Sequence, residues 1–245
     1  MDSVTPPLRA AIFDVYGTIL AFGPAPADAD ARWADAWRSA LGREPRLTLA
    51  EFVAAGRAVV ATEHATARAC GLPFPEVHWP EIVDAVLPEF AALPAVVRAV
   101  SPVYGASLQH TVSLMPGAIE GLRAAQRAGL RLGLASNCQA YSLDELDAAL
   151  AGTGLTRAIF EPALSFLSFE NGFSKPDPHV FRSLTGRLRT LGIAAGETLM
   201  VGDRLDNDLA PAAAQGWQTA RITPAHPAED WARLTARFAA LQPRP

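Results

Sequence analysis

The sequence predicts an α/β fold: a parallel sheet with helices on both faces, interrupted by an inserted all-helical region. Three observations predict it. Five short apolar runs look like buried strands, helical patterns alternate with the later runs, and an alanine-rich stretch from about residue 21 to 113 has helical periodicity without a convincing strand. Runs that are continuously apolar, rather than alternating, mark strands covered on both faces.

The first run is 10–15 (AAIFDV). The inserted region follows, with turn punctuation at 42–45, 71–75 and 93–94, and reads as about four helices. Its borders, AFGPAPA and SLMPGA, have the proline and glycine of linkers or hinges. A helical pattern over 117–128 leads into the second run, 131–135 (RLGLA). A helix over 141–151 precedes the third, 158–160 with a continuation toward 164. A helix over 178–191 precedes the fourth, 198–201 (TLMV), and a helix over 206–215 the fifth, 218–222. The expected division is a sheet domain of residues 1–19 and 115–245 and a helical domain of residues 20–114.

Composition bounds the function. With 245 residues, half of them hydrophobic and 19% charged, the chain can bury a core. A net charge of −4 argues against nucleic-acid and anionic-membrane partners. Two cysteines, Cys70 and Cys138, exclude a disulfide framework or a four-cysteine zinc site. The start, MDSVTPPLRAA, has no secretory-type apolar run, and nothing approaches the roughly 18–20 apolar residues of a membrane span. The expectation is a soluble cytoplasmic protein, monomer or homodimer, acting on a small molecule. Of its 21 basic residues, 20 are arginine and one is lysine, Lys175.

In parallel sheets, ligands bind at the carboxyl ends of the strands. Here those ends carry Asp14 before a glycine turn, Ser136-Asn137, and Asp203 to Asp208 within GDRLDND; Lys175 lies in SKPDP just before a helix. Each has an ordinary reading: a turn former, a helix cap, a solvated loop. Together they gather several carboxylates and one lysine at one edge. Like charges about 4 Å apart repel by several kcal/mol at intermediate dielectric, so a hard cation, Mg²⁺, is implied. The pattern is that of phosphoryl transfer to an aspartate nucleophile.

These four segments, in this order, resemble the haloacid dehalogenase (HAD) superfamily of hydrolases. D-V-Y-G-T resembles its first motif, Ser136 its second, Lys175 in S-K-P-D-P its third, and G-D-R-L-D-N-D its fourth. The helical insertion resembles the family's C1 cap, which closes over the site and selects substrate, on a Rossmann-like sheet domain. The resemblance implies Asp14 as nucleophile, with Ser136 and Lys175 as catalytic partners. It implies substrate contacts from Thr18, Ser136, Asn137 and Lys175. It also implies Mg²⁺ held by Asp14, Asp203, the Tyr16 backbone carbonyl and Asp208, the last directly or through water.

The markers for chemistry are mixed. The family's phosphatases usually carry a second Asp two residues after the nucleophile to protonate the leaving alkoxide; here that residue is Tyr16. A phenol with pKa near 10 is a poor proton donor at neutral pH, whereas a halide leaves as a stable anion and needs no proton. The fourth motif points the other way, since family dehalogenases are metal-free. The metal argument outweighs the tyrosine. The expected activity is a Mg²⁺-dependent phosphatase of a small phosphorylated metabolite. The alternatives are a metal-independent 2-haloacid dehalogenase on Asp14 and a weakly active ligand-binding member. A dehalogenase would also need a cap arginine, with Arg32, Arg38, Arg43 and Arg46 all in the plausible stretch. A cap histidine (His64, His78 or His110) is an alternative proton source. Cys138 reads as a small buried residue, His179 as structural, and Trp33, Trp37 and Trp79 as cap packing. Arg204 faces either substrate or solvent.

Overall fold

In the computed structural model, which describes residues 6–241, the chain starts with β1 (Ala10–Phe13) and β2 (Leu20–Gly23). A helical stretch follows: α1 (Ala29–Leu41), α2 (Leu49–Ala69), α3 (Trp79–Val86), α4 (Pro88–Ala91) and α5 (Ala95–Val100). It returns through β3 (Thr111–Leu114) to α6 (Ala118–Arg127), β4 (Arg131–Ser136), α7 (Tyr141–Leu150), β5 (Phe166–Leu167) and α8 (Ser168–Asn171). The remainder is α9 (Pro178–Thr190), β6 (Thr198–Gly202), α10 (Ala210–Ala214), β7 (Gln218–Arg221) and α11 (Pro227–Ala239).

The main sheet is parallel, in the order β5-β4-β1-β6-β7. The two-residue strand period sorts its side chains into two cores. Ala11 and Phe13 of β1, Leu132 and Leu134 of β4 and Leu199 and Val201 of β6 face α6, α7 and α11. Ala10, Ile12, Ala135 and Met200 face α9 and α10. A third cluster draws only on residues 29–108, with Trp33, Trp37, Phe52 and Phe90 at its centre. Trp33 stacks on Phe52 at 4.9 Å, so two of the expected packing tryptophans sit in that core and Trp79 packs against its edge.

Local signals account for the helix starts. Thr48 and Glu51 form a reciprocal capping box at α2. Asp177 accepts from the His179 amide while Pro178 opens α9.

The structure corrects four expectations. The third run does not form a strand over 158–164: residues Arg157–Ile159 and Pro162–Leu164 are 3-10 turns, and the sheet strand comes later, at β5. Phe160 alone bridges to Leu132. Pro162 has no amide to give a ladder, so the run cannot pair through. The insertion is not strand-free, because β2 and β3 pair antiparallel at its borders. Four-residue, half-exposed strands beside proline and glycine carry too weak a pattern to stand out from linkers. The insertion has five α-helical segments, since Leu87 and Pro88 break what reads as one helix into α3 and α4. The helix expected over 206–215 starts as a π-helical turn, Leu205–Leu209, that buries Asn207 and Asp208; such turns are frequent at functional sites. A further helix, α11, lies beyond the alternation read from sequence. Residues 1–5 and 242–245 of the expected sheet domain lie outside the described residues.

Candidate active site

Asp14 follows β1 directly, and its amide donates to Val201 O at 2.9 Å, so the carboxylate sits at the sheet's carboxyl edge. Two glycines make the close approach there possible. Gly17 has φ +79°, and a Cβ on it would lie 2.5 Å from Asp203 Oδ2. A Cβ on Gly202 would lie 2.5 Å from Asp208 Oδ2. Carboxylate oxygens of Asp14, Asp203 and Asp208 consequently lie within 4.8 Å of one another.

Lys175 Nζ donates to Asp14 Oδ1 at 2.8 Å and to Asp208 Oδ1 at 2.6 Å. The lysine is 3% exposed and Asp208 1%. Asn137 fixes the lysine's backbone: its Oδ1 accepts from Lys175 N and its Nδ2 donates to Lys175 O, each at 2.8 Å. The Lys175-Pro176 peptide is cis. Asp208 Oδ2 accepts from Arg204 N at 3.1 Å, tying down the turn after β6.

The charges do not balance, with three carboxylates facing one ammonium. Burial lifts the Asp14 carboxyl to about 6; Lys175 opposes the rise and Asp208 adds to it. Burial and Asp208 also raise Asp203. Burial works against the Lys175 ammonium, but Asp14 and Asp208 outweigh it and hold its pKa above the ordinary lysine value. The donor set is all oxygen, with uncompensated negative charge, and it fits a hard divalent cation such as Mg²⁺.

Two hydroxyls at this edge, Thr18 Oγ1 and Ser136 Oγ, are buried without a hydrogen-bond partner among the described residues. An orphaned buried hydroxyl calls for a ligand or water.

The Tyr16 side chain takes another direction. Its phenol donates to Glu145 of α7, and its ring stacks on Phe22 at 4.4 Å. Burial and the Glu145 bond push its pKa above the ordinary phenol value. His110 stands edge-on to Phe22 at 4.9 Å, with Nε2 2.9 Å from Glu145 Oε1. Tyr16, Phe22, His110 and Asn137 border a crevice of about 210 Å³. Glu145 is the residue that sequence reasoning misses here: it lies in an ordinary amphipathic helix, 129 positions from its partner.

The remaining candidates fall elsewhere. Cys138 is buried, and burial pushes its thiol up to about 12. His78 is exposed near Glu81, and His179 is exposed beside Asp177. Arg32, Arg38, Arg43 and Arg46 are each paired with a carboxylate of the helical stretch. Arg204 pairs with Asp206 in solvent.

Residues 8–216 match the family model for haloacid dehalogenase-like hydrolases. The fold is similar to that of a HAD-family enzyme from Bacteroides thetaiotaomicron, with a TM-score of 0.57 at 16% identity over 94% of this chain and 98% of that one. A variant of that enzyme in complex with magnesium and inorganic phosphate gives a TM-score of 0.50 at 14% identity, covering 86% and 92% of the two chains. An L-2-haloacid dehalogenase gives 0.49 at 22% identity, covering 96% and 100%. The comparison with curated proteins finds no match.

Proposed function

The chain belongs to the haloacid dehalogenase-like hydrolases, and from that premise we propose that it is a Mg²⁺-dependent phosphatase of a small phosphorylated metabolite, working through an aspartyl-phosphate on Asp14. One observation carries this reading: three carboxylates lie within 4.8 Å of one another, and the one ammonium beside them bonds only two, Asp14 and Asp208. A site so acidic would repel a haloacid carboxylate, whereas a cation held there would favour a phosphate.

In this reading Asp14, Asp203 and the Tyr16 backbone carbonyl would hold Mg²⁺, with Asp208 binding it directly or through water. When bound, the ion neutralises charge on the phosphoryl oxygens and on the nucleophile. An Asp14 carboxylate oxygen attacks phosphorus, the bond from phosphorus to the ester oxygen breaks, and the leaving alkoxide takes up a proton. Water then attacks the phosphorus of the acyl phosphate, releasing phosphate and restoring Asp14. Lys175 keeps Asp14 oriented and partly offsets its charge, and Asn137 holds the lysine in place through both amide atoms. The unpartnered hydroxyls of Thr18 and Ser136 donate to the phosphoryl oxygens. Residues 20–114 act as the cap over a catalytic domain of residues 1–19 and 115–245, a division supported by the separate core within 29–108. The reading extends to a reducing, cytoplasmic setting, supported by two free cysteines. No helix among the described residues is long and apolar enough to cross a membrane.

A second reading, a metal-independent 2-haloacid dehalogenase, draws on Tyr16. Its phenol is engaged with Glu145 at the position where family phosphatases keep an acid. Assays with p-nitrophenyl phosphate and 2-chloropropionate, each with Mg²⁺ and with chelator, separate the two. The phosphatase reading expects turnover of the first substrate only, abolished by chelator. Chelator-resistant chloride release would overturn it.

A further inference from the structure

One face of α2 carries Arg57, His64 and Arg68, seven and four positions apart and so on one helical stripe. With Val60, Trp79 and Gln109 they line a cavity of about 410 Å³ that no carboxylate borders. The arginines of the neighbouring α1 and its loop, Arg32, Arg38, Arg43 and Arg46, are spent on carboxylates. Arg57 and Arg68 enter no ion pair among the described residues. Two further polar atoms of the lining, His64 Nε2 and Trp79 Nε1, are buried and lack a partner. The indole N–H can only donate, and the imidazole donates at Nε2 in one tautomer or as a cation. In a chain of net charge −4, two unpaired guanidiniums and two orphaned ring nitrogens around one hollow make a local excess of donors. An apolar guest would leave the two buried ring nitrogens unsatisfied; an anion would accept from them and pair with the two guanidiniums.

The cavity connects toward the candidate active site through an intervening hollow. Arg57 and Gln109 also border a second hollow with His110, and His110 borders the crevice formed with Tyr16 and Asn137. The Trp79 amide donates at 2.8 Å to Gln139 Oε1, two residues beyond Asn137.

We infer that Arg57, His64 and Arg68, with the Trp79 indole, form a receptor for a carboxylate or phosphate group, and that the preferred substrates are phosphoesters bearing a second anionic group at the end remote from the scissile bond. The substrate part of this inference rests on the phosphatase reading; the receptor does not.

Two measurements test it. The first compares kcat/KM for phenyl phosphate with that for phenyl phosphates extended by carboxyalkyl chains of increasing length. The expected result is a preference of about tenfold or more at one chain length, equivalent to about 1.4 kcal/mol, collapsing toward one in Arg57→Gln/Arg68→Gln. The second is calorimetric titration with tricarballylate, without magnesium. Binding is expected in the wild type and in Asp14→Asn, weakened about tenfold or more in the double arginine variant. Both arginines are exposed, so the variant retains the fold. Tricarballylate binding without a chain-length preference would support the receptor as a site for a separate anion. Binding without turnover of any phosphoester would sink the phosphatase reading and leave the receptor standing. No binding, or equal binding in the double arginine variant, would overturn the inference.

Discussion

Lys175 is the one lysine in a chain whose other 20 basic residues are arginine. Its ammonium bridges Asp14 and Asp208 at 2.8 and 2.6 Å inside a pocket where it is 3% exposed. A guanidinium is wider and presents a flat fork, so Lys175→Arg must displace one carboxylate. That variant is expected to lose about 10²-fold or more in kcat/KM. Near-wild-type activity would show that the compact charge is not needed. Asp14→Asn is expected to stay folded and to fall below about a hundredth of wild-type turnover, because an amide cannot form the acyl phosphate. Tyr16 leads to a different measurement. With its phenol committed to Glu145 and its pKa raised, it cannot protonate an alkoxide well. Aryl phosphates with acidic phenols should turn over about 10²–10⁴-fold faster than alkyl phosphates, the usual worth of general acid catalysis. A Tyr16→Asp change alone would set a second carboxylate near Glu145. The variant expected to narrow the gap is therefore Tyr16→Asp with Glu145→Gln. A flat leaving-group series in wild type, with chemistry rate-limiting, would mean that another group already donates, with His110 the first to test.

At the scale of elements, α11 supports the site from behind. Trp231 stacks on Phe13 at 6.1 Å, and its Nε1 donates to Thr18 O at 3.1 Å, bracing the loop that follows β1. Asp230 locks the first turn of that helix to the end of β7: its Oδ2 accepts from Thr223 N at 2.7 Å and Thr223 Oγ1 at 2.6 Å, and Arg233 pairs with Oδ1. Burial alone would raise its pKa, but these bonds outweigh burial and hold it below the ordinary carboxylate value. The native state therefore binds the proton less readily than the unfolded chain, and the stabilisation is present above the ordinary carboxylate pKa and lost as pH falls through the native one. Asp230→Asn should cost about 1–3 kcal/mol near neutrality, with the gap from wild type closing in strong acid. A gap constant with pH in urea melts would remove the charge from the explanation. Elements like β1, β4 and β6 were legible in the sequence because their signal is local: a buried apolar run delivers the very next residue to the sheet edge. The strand expected at 158–160 with a continuation toward 164 was not, because the chain turns at Pro162–Leu164 and only Phe166 and Leu167 finally pair as a strand. Glu145 and α11's support of Thr18 were not legible either, since each joins segments more than a hundred residues apart and leaves no periodic trace.

Across the whole molecule, the helical stretch is tied to the sheet domain by more than the β2–β3 ribbon at its ends. The loop between α2 and α3 reaches the loops that carry Asn137 and Lys175. Pro75 bridges antiparallel to Phe173, Ser174 N donates to Phe74 O at 2.9 Å, and Glu76 N donates to Gly172 O at 3.0 Å. Glu76 is the centre of this strap. Its Oε2 accepts from Ser168 Oγ at 2.6 Å and its Oε1 from Gln139 Nε2 at 3.0 Å, while Gln139 Nε2 also donates to Val77 O at 2.8 Å. Hydrogen bonds to an ionised carboxylate contribute about 1.5–3 kcal/mol each, roughly twice a neutral pair. Glu76→Ala removes both acceptors at once, so the strap should open more often while the sheet beneath stays closed. Amide hydrogen exchange is expected to accelerate together at 73–79 and 168–175, with β1 and β6 protected as in wild type. Because the second of those segments carries Lys175, kcat/KM should fall with it, and Glu76→Gln, which keeps one carbonyl acceptor, should sit between the two. Exchange that accelerates at 73–79 alone, with activity unchanged, would mean that the strap does not hold the lysine loop. Uniform acceleration across the sheet would mean that Glu76 stabilises the whole fold rather than the junction.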